Sequence, residues 1–285
     1  MKRMPSFEEL KQPLPTFSPK NIYYIFLRFL LHTVGNLSDG IRIGNTYGYD
    51  SGVMIDYVYK NKPSGRFIVG TLIDWAYLNS VGWRGIRLRK LLLIRYLTKV
   101  VYNHLQIKPY IKYLDIACGG AEYDIETLKQ FDASKIDVEL RDYKPENIEK
   151  ATQNASVNGL RSIRFKQADA FNTANYGDRW DIVVASGFWE IIDDDALIKG
   201  CIQNIATCLV SGGSLVFTIQ PYHPQLEMAA RALTSNTGKP WIMRLRNLDL
   251  YKQWLNEAGL EYVSHEMEKH QIFGVVEARK KSSTT

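Results

Sequence analysis

Only three of the 285 residues are cysteine (Cys118, Cys201 and Cys208), too few and too scattered for a disulfide framework or a cysteine-rich zinc site. Cys201 and Cys208 stand seven apart, a helix-face spacing, and read as small core residues. Thiols used in this way fit a reducing, cytoplasmic compartment. Long apolar runs are missing too. The richest stretch, Ile22–Leu31 (IYYIFLRFLL), is interrupted by Arg28 and is half the length of a membrane-spanning helix, which needs about 20 residues. The opening MKRMPSFEELKQPLPTF carries acids and prolines where a secretory signal would have its apolar core. H-E-x-x-H, paired C-x-x-C and EF-hand patterns are absent, so no metal is expected. With 45% hydrophobic and 23% charged residues, the chain is too apolar to be disordered and too varied to be fibrous.

The charge is uneven. Residues 1–110 hold 16 Lys and Arg against 6 Asp and Glu, while residues 111–285 hold 20 against 24. Asymmetry of this kind points to a basic helix face, an acidic substrate or an anionic surface. The basic residues carry no aromatic platform motif, so nucleic acid is not expected as a partner. A basic N-terminal half with an apolar, aromatic helix adds a further expectation, a weak membrane-surface association through residues 22–34.

Organisation changes near residue 110. Before it, the apolar run 22–34 and the stretch 72–105 have helical period, with a break at Gly82, and 40–59 is rich in Gly and Tyr. After it, short β-rich runs (112–117, 136–140, 162–169, 180–186, 214–219, 260–266, 271–278) alternate with helical patterns, and Ser211-Gly212-Gly213 reads as a turn. Pro145 suits the first turn of a helix, where its missing N–H costs nothing. Such alternation implies right-handed crossovers and a mainly parallel sheet. The fold class is α/β, a Rossmann-like three-layer domain over 110–285 with a mostly helical N-terminal cap over 1–109.

Ligands of such sheets bind beyond the carboxyl ends of the strands, where the strand order switches. The first such turn is Asp115-Ile116-Ala117-Cys118-Gly119-Gly120-Ala121. It lacks the G-x-G-x-x-G of dinucleotide binders and sets an acid at the strand end. That carboxylate would repel a pyrophosphate and welcome a cationic group. The run resembles motif I (D-x-G-x-G-x-G) of the class I S-adenosylmethionine-dependent methyltransferases, with Ala117 and Ala121 in place of the outer glycines. Asp142, 23 residues after Gly119, ends the second strand, where such folds keep the acid that takes ribose hydroxyls, and 141–151 resembles the stretch around it. Gln167-Ala168-Asp169-Ala170 resembles the adenine-side motif, and WDIVVASG (180–187), with Ser186 and Gly187, is similar to the fourth-strand motif. A narrower resemblance covers nearly the whole chain. Residues 38–59, 77–90, 141–143 and 220–235 look like a bacterial methyltransferase family, sometimes fused to an α/β-hydrolase domain, whose substrate is unassigned.

The resemblance implies S-adenosyl-L-methionine as cofactor, held by Asp115, Ala117, Gly119, Gly120, Ala121, Asp142, Tyr143, Asp169, Ala170, Ser186 and Gly187. For Asp115 the alternative is a strand-end acid satisfied by loop amides, for Asp169 a turn-forming acid, and for Tyr143 simple coverage of the core. His223, with Tyr222 after the fifth strand, is a candidate base for a hydroxyl acceptor; alternatively His223 and Glu227 orient each other at a helix start. Glu190, in the run SGFWE (186–190), is a second candidate, and that run differs from the Asn/Asp-Pro-Pro-Tyr signature of amino-group methylases. Arg84 and Arg87 are candidates for the cofactor carboxylate or an acidic acceptor or, more simply, helix-surface charge. Tyr47, Tyr49, Asp50, Tyr57 and Tyr59 either line an acceptor pocket or pack. Asp181 reads as structural, and Asp193–Asp195 as a helix cap. The expected activity is in-line methyl transfer to a small-molecule acceptor, acidic or lipid-like. A nicotinamide-dependent oxidoreductase and a cofactor-binding protein that does not methylate remain the rival readings.

Overall fold

The computed structural model describes residues 3–172, 176–177 and 179–281. Six helices precede the first strand: α1 (Phe7–Lys11), α2 (Pro19–His32), α3 (Asp39–Tyr47), α4 (Gly52–Lys60), α5 (Phe67–Leu78) and α6 (Val81–Ile107). An alternating series follows, β1 (Ile111–Asp115), α7 (Glu122–Leu128), β2 (Ile136–Asp142), α8 (Pro145–Val157), β3 (Arg164–Gln167), β4 (Trp180–Ala185), α9 (Asp195–Cys208) and β5 (Leu209–Ile219). After these come α10 (Leu226–Ala232), α11 (Leu248–Glu257), β6 (Leu260–Met267) and β7 (Gly274–Lys280).

These elements form two compact units, residues 1–88 with 222–245, and residues 89–221 with 246–285. The division expected at 109/110 thus falls at 88/89, inside α6, and the segment carrying α10 joins the first unit although it follows β5 in the chain.

In the first unit serines start several of the helices. The hydroxyls of Ser18, Ser38 and Ser51 accept the amides of Asn21, Ile41 and Met54, which satisfies N–H groups that a helix start leaves open. The Gly- and Tyr-rich stretch resolves in this way into α3 and α4. Two of its tyrosines pack: Tyr49 is fully buried against Gly44 with its hydroxyl on Asn45 Oδ1, and Tyr57 donates to Asp74, whereas Tyr47 is 55% exposed. Asp50 accepts the Asn236 amide at 2.5 Å.

In the second unit the strands form one sheet in the order β3-β2-β1-β4-β5-β7-β6. Pairing is parallel from β3 through β5, and β7 runs antiparallel to both β5 and β6. Alternate residues enter the two faces. Leu114, Val183, Leu215 and Phe217 meet Ile198, Ile202 and Ile205 of α9 and Tyr251 and Leu255 of α11. Tyr113, Ile182, Val184 and Val216 meet Leu93, Leu97 and Val100 of α6, Ile125 of α7 and Ala151 of α8. This is the expected three-layer fold, with Cys201 and Cys208 in the first of these cores and Cys118 in the second. One detail differs. The triplet Ser211-Gly212-Gly213 lies inside β5, where the pairing slips from Trp180↔Leu209 to Ile182↔Ser214; a bulge takes up the extra residues instead of a turn ending the helix.

Candidate cofactor site

The chain runs outward from β1 to β3, then crosses back to β4, so the order switches between β1 and β4. At that point the carboxyl ends leave a crevice without a crossover covering it. The loop after β1 bends sharply into it. Gly119 has φ +55° with open space where a Cβ would be, and Ala121 has φ +56°. A left-handed alanine costs on the order of 1 kcal/mol. It is repaid by the burial of its methyl group and by its amide, which donates to the Cys118 carbonyl at 2.8 Å. Ala121 therefore shapes the turn with its side chain sealed from any ligand. Ala117, Gly119 and Gly120 are the half-buried residues of this loop, and Asn154 of α8 holds the Gly120 carbonyl at 2.9 Å.

Asp142, at the tip of β2, fastens this loop to the next. Its Oδ2 accepts the Gly119 amide at 3.0 Å, and its Oδ1 accepts the Lys144 amide and the Asn147 side chain, both at 2.9 Å. A carboxylate offers about four acceptor positions. Three are used, so Oδ2 keeps capacity for a hydroxyl donor. Beside it Tyr143 is 69% exposed, an open aromatic face, with its carbonyl held by Gln167. Asp169 is exposed after β3 and accepts the Phe171 amide at 2.9 Å. Asp169 and Ala170 line a narrow slot together with Ile116 and Arg141.

Asp115 is placed differently from the expected ligand contact. It is fully buried, accepting the Ala117 amide and the Tyr123 hydroxyl, both at 2.8 Å. It is the strand-end acid satisfied from within. Asp124 lies buried next to it and takes the Tyr113 hydroxyl at 2.7 Å, while its Oδ2 accepts from no donor. Burial pushes the Asp115 carboxyl up to about 7, and burial with the Asp115 charge holds Asp124 well above the carboxylate range. Both shifts favour the protonated form, so the pair holds a proton more readily than a lone carboxyl.

At the β4 edge of the crevice Ser186 is buried and Gly187 has φ +78°, with its amide donated to the Thr218 hydroxyl at 2.8 Å. A Cβ at Gly187 would come 3.2 Å from the Arg89 guanidinium, so glycine is needed both for the turn and for the approach of Arg89. Glu190 Oε1 accepts from Thr218 at 2.7 Å and lies 3.7 Å from Arg89, while its Oε2 is buried without a partner. Burial raises the Glu190 carboxyl against the lowering effect of Arg89 and Thr218.

The structure thus gathers the loop after β1, Asp142, Tyr143, Asp169, Ala170, Ser186, Gly187 and Glu190 along one end of the sheet. Tyr222 and His223 belong to the first unit. There His223 is buried, Nδ1 accepts the Gln225 amide at 3.1 Å, and Nε2 lies against Gly82. Its one lone pair is committed and burial depresses its pKa to about 4, so it is not poised as a base. Glu227, the partner expected for it, pairs with Lys20 at 2.5 Å. Arg84 and Arg87 also belong to the first unit, and Arg89 is the basic residue that reaches Gly187 and Glu190. Helical period carries the signal for it: Arg89 leads the inward row Leu93, Tyr96 and Val100 of α6. Asp181 is structural, held by Lys108 and the Lys112 amide, and Asp194 caps α9. Among the described residues no cluster of metal-ligand side chains occurs.

The chain is 36% identical over 269 residues to the uncharacterised protein YnbC of Escherichia coli strain K12, which covers 92% of this chain and 46% of that protein. It therefore spans about half the length of that curated relative. Its fold resembles a structure described as a possible exported protein from Bordetella parapertussis, with a TM-score of 0.64 and 20% identity over 96% of this chain and 91% of that one. It also resembles magnesium protoporphyrin IX methyltransferase from Synechocystis PCC 6803 with bound SAH, with a TM-score of 0.58 and 14% identity over 88% and 100% of the two chains. At these identities the likeness carries the fold, which is that of the class I methyltransferases. A family model described as "Putative methyltransferase" matches residues 2–280, and the chain belongs to that family.

Proposed function

We propose that this chain methylates a small-molecule acceptor, with S-adenosylmethionine bound at the carboxyl ends of β1, β2 and β4. When bound, that group supplies a sulfonium-activated methyl for in-line displacement. The observation that carries the reading is Asp142: a carboxylate at the tip of β2, tied to the Gly119 amide, with acceptor capacity left for ribose hydroxyls. The residues around it fit. Ala117, Gly119 and Gly120 allow backbone approach, Tyr143 offers a ring to the adenine and Asp169 an acceptor to its amino group. Arg89 of α6, beside Gly187 and Glu190, is a cation for a carboxylate. Because the donor is already activated, the protein's task is alignment and exclusion of water, worth about 7–11 kcal/mol. Glu190 would take a proton from the acceptor where one must leave, adding about 10²–10⁴-fold. Membership of a methyltransferase family supports methyl transfer over reuse of the fold for other chemistry. The three free, buried cysteines support a reducing, cytoplasmic setting.

Calorimetric titration with S-adenosylmethionine, its demethylated product and NADPH tests the proposal. Micromolar binding of the first two, lost in Asp142→Ala with the fold retained, is expected. Preference for NADPH, or unchanged binding in the variant, would overturn it.

A further inference from the structure

Two helices of the first unit turn their apolar sides outward. On α2 only Tyr24 is buried, while Ile22, Ile25, Phe26 and Phe29 are 49–61% exposed. At 100° per residue these four fall within an arc of about 100° that holds no charged side chain. On α5 the residues Ile68, Leu72 and Trp75 (i, i+4, i+7) are 58–80% exposed. The single charged side chain of α5, Asp74, is fully buried under hydrogen bonds from Ser38, Gly40, Tyr57 and Ser64. The two helices belong to one packed group, since α5 starts where Arg66 donates to the Leu37 carbonyl at 2.8 Å, in the turn that follows α2. Apolar residues scattered singly on a surface need no explanation; two outward stripes on helices that both pack on the turn 34–37 mark a docking face.

Charge selects the occupant. The first unit holds 14 Lys and Arg against 7 Asp and Glu, whereas the second holds 22 against 23. Alongside α2, Lys11, Arg28 and His32 line a groove of about 440 Å³, whose floor includes Arg231, its guanidinium held by the Gln12 and Glu9 carbonyls at 2.6 and 3.1 Å. A second copy would bring two positive units face to face, whereas an anionic lipid surface would neutralise them. Trp75, Phe26 and Phe29 at the exposed positions suit the boundary between headgroups and acyl chains. Among the described residues no helix is long and apolar enough to cross a membrane, so the helices would lie in its plane.

We propose that the first unit docks on an anionic phospholipid surface, seating the apolar stripes of α2 and α5 in the interfacial layer and the basic groove on lipid phosphates. Flotation of the full chain with vesicles of phosphatidylcholine, with or without phosphatidylglycerol, tests this without cofactor or acceptor, so the result is separate from that of the methyl-transfer titration. The expected result is binding to the anionic vesicles only, weakened by salt. Each of the pairs Phe26→Ser/Phe29→Ser and Leu72→Ser/Trp75→Ser should weaken it at least tenfold, with circular dichroism unchanged because these side chains are exposed. Arg28→Ala should weaken it about fivefold. Absence of binding, or equal binding by both pairs and the parent, would overturn the proposal. So would a dimer in sedimentation equilibrium that the same pairs dissociate, which would assign the face to a second copy.

Discussion

Asp115 and Asp124 put two carboxyls where solvent can stabilise neither charge, with Tyr113 and Tyr123 as their hydroxyl donors. Both pKa values lie above the ordinary carboxylate value of the unfolded chain, so folding takes up protons. Stability from this pair is therefore complete near pH 4 and declines as pH rises toward 7 and beyond, by about 1.4 kcal/mol per pH unit for each proton held. Asp124→Asn imitates the protonated acid, accepting from Tyr113 and donating to Asp115. Thermal melts from pH 4 to 8 should show parent and variant alike at the acid end, with the variant increasingly the more stable above it. Parallel curves would mean that the pair holds no proton.

At the scale of elements, Asp74 ties α5 to α3, α4 and the loop before it. Asp74→Ala would strand two hydroxyl and two amide donors around a buried hole, costing about 3–5 kcal/mol, and Asp74→Asn would cost less. Chemical denaturation measures both, and a loss below 1 kcal/mol for the alanine would show that water replaces the carboxylate. How legible such elements are depends on what fixes them. Most of the strands follow from hydrophobic runs between turn residues, the exposed β3 (RFKQ) from its place in the alternation, and Asp142, Asp169 and Gly187 could be found because a strand's end is visible in sequence. Asp74 could not, since a lone acid in FIVGTLIDWAYL reads as the exposed spot of an apolar helix, and the donors that turn it inward are gathered from 10–36 residues away. His223 misled for a similar reason. Its position after β5 suggested chemistry, whereas its environment is set by Gly82 and Gln225 in the helical unit. Asp115 carried the family pattern, but its partners Tyr123 and Ala117 come from the fold of the following turn.

For the whole molecule the relevant boundary is the one at 88/89. A fragment starting at residue 110 would lose Leu93, Leu97 and Val100 of α6 from one face of the sheet, uncovering Ile111, Tyr113 and Val184, and would leave 222–245 without the rest of its unit. Such a fragment should aggregate or bind hydrophobic dyes, whereas the full chain should not, and a cooperative melt of the fragment would contradict this assignment. The split first unit also has a consequence in time. During synthesis residues 1–88 must wait for 133 further residues before the segment completing their unit is made, a delay of roughly 7–27 s at bacterial and eukaryotic elongation rates. Through that interval Tyr24, Leu10 and Arg231's future neighbours stand open beside the already greasy α2 and α5. The nascent chain is thus most adhesive well before it is finished, and a nearby chaperone or lipid surface would meet it first in that state.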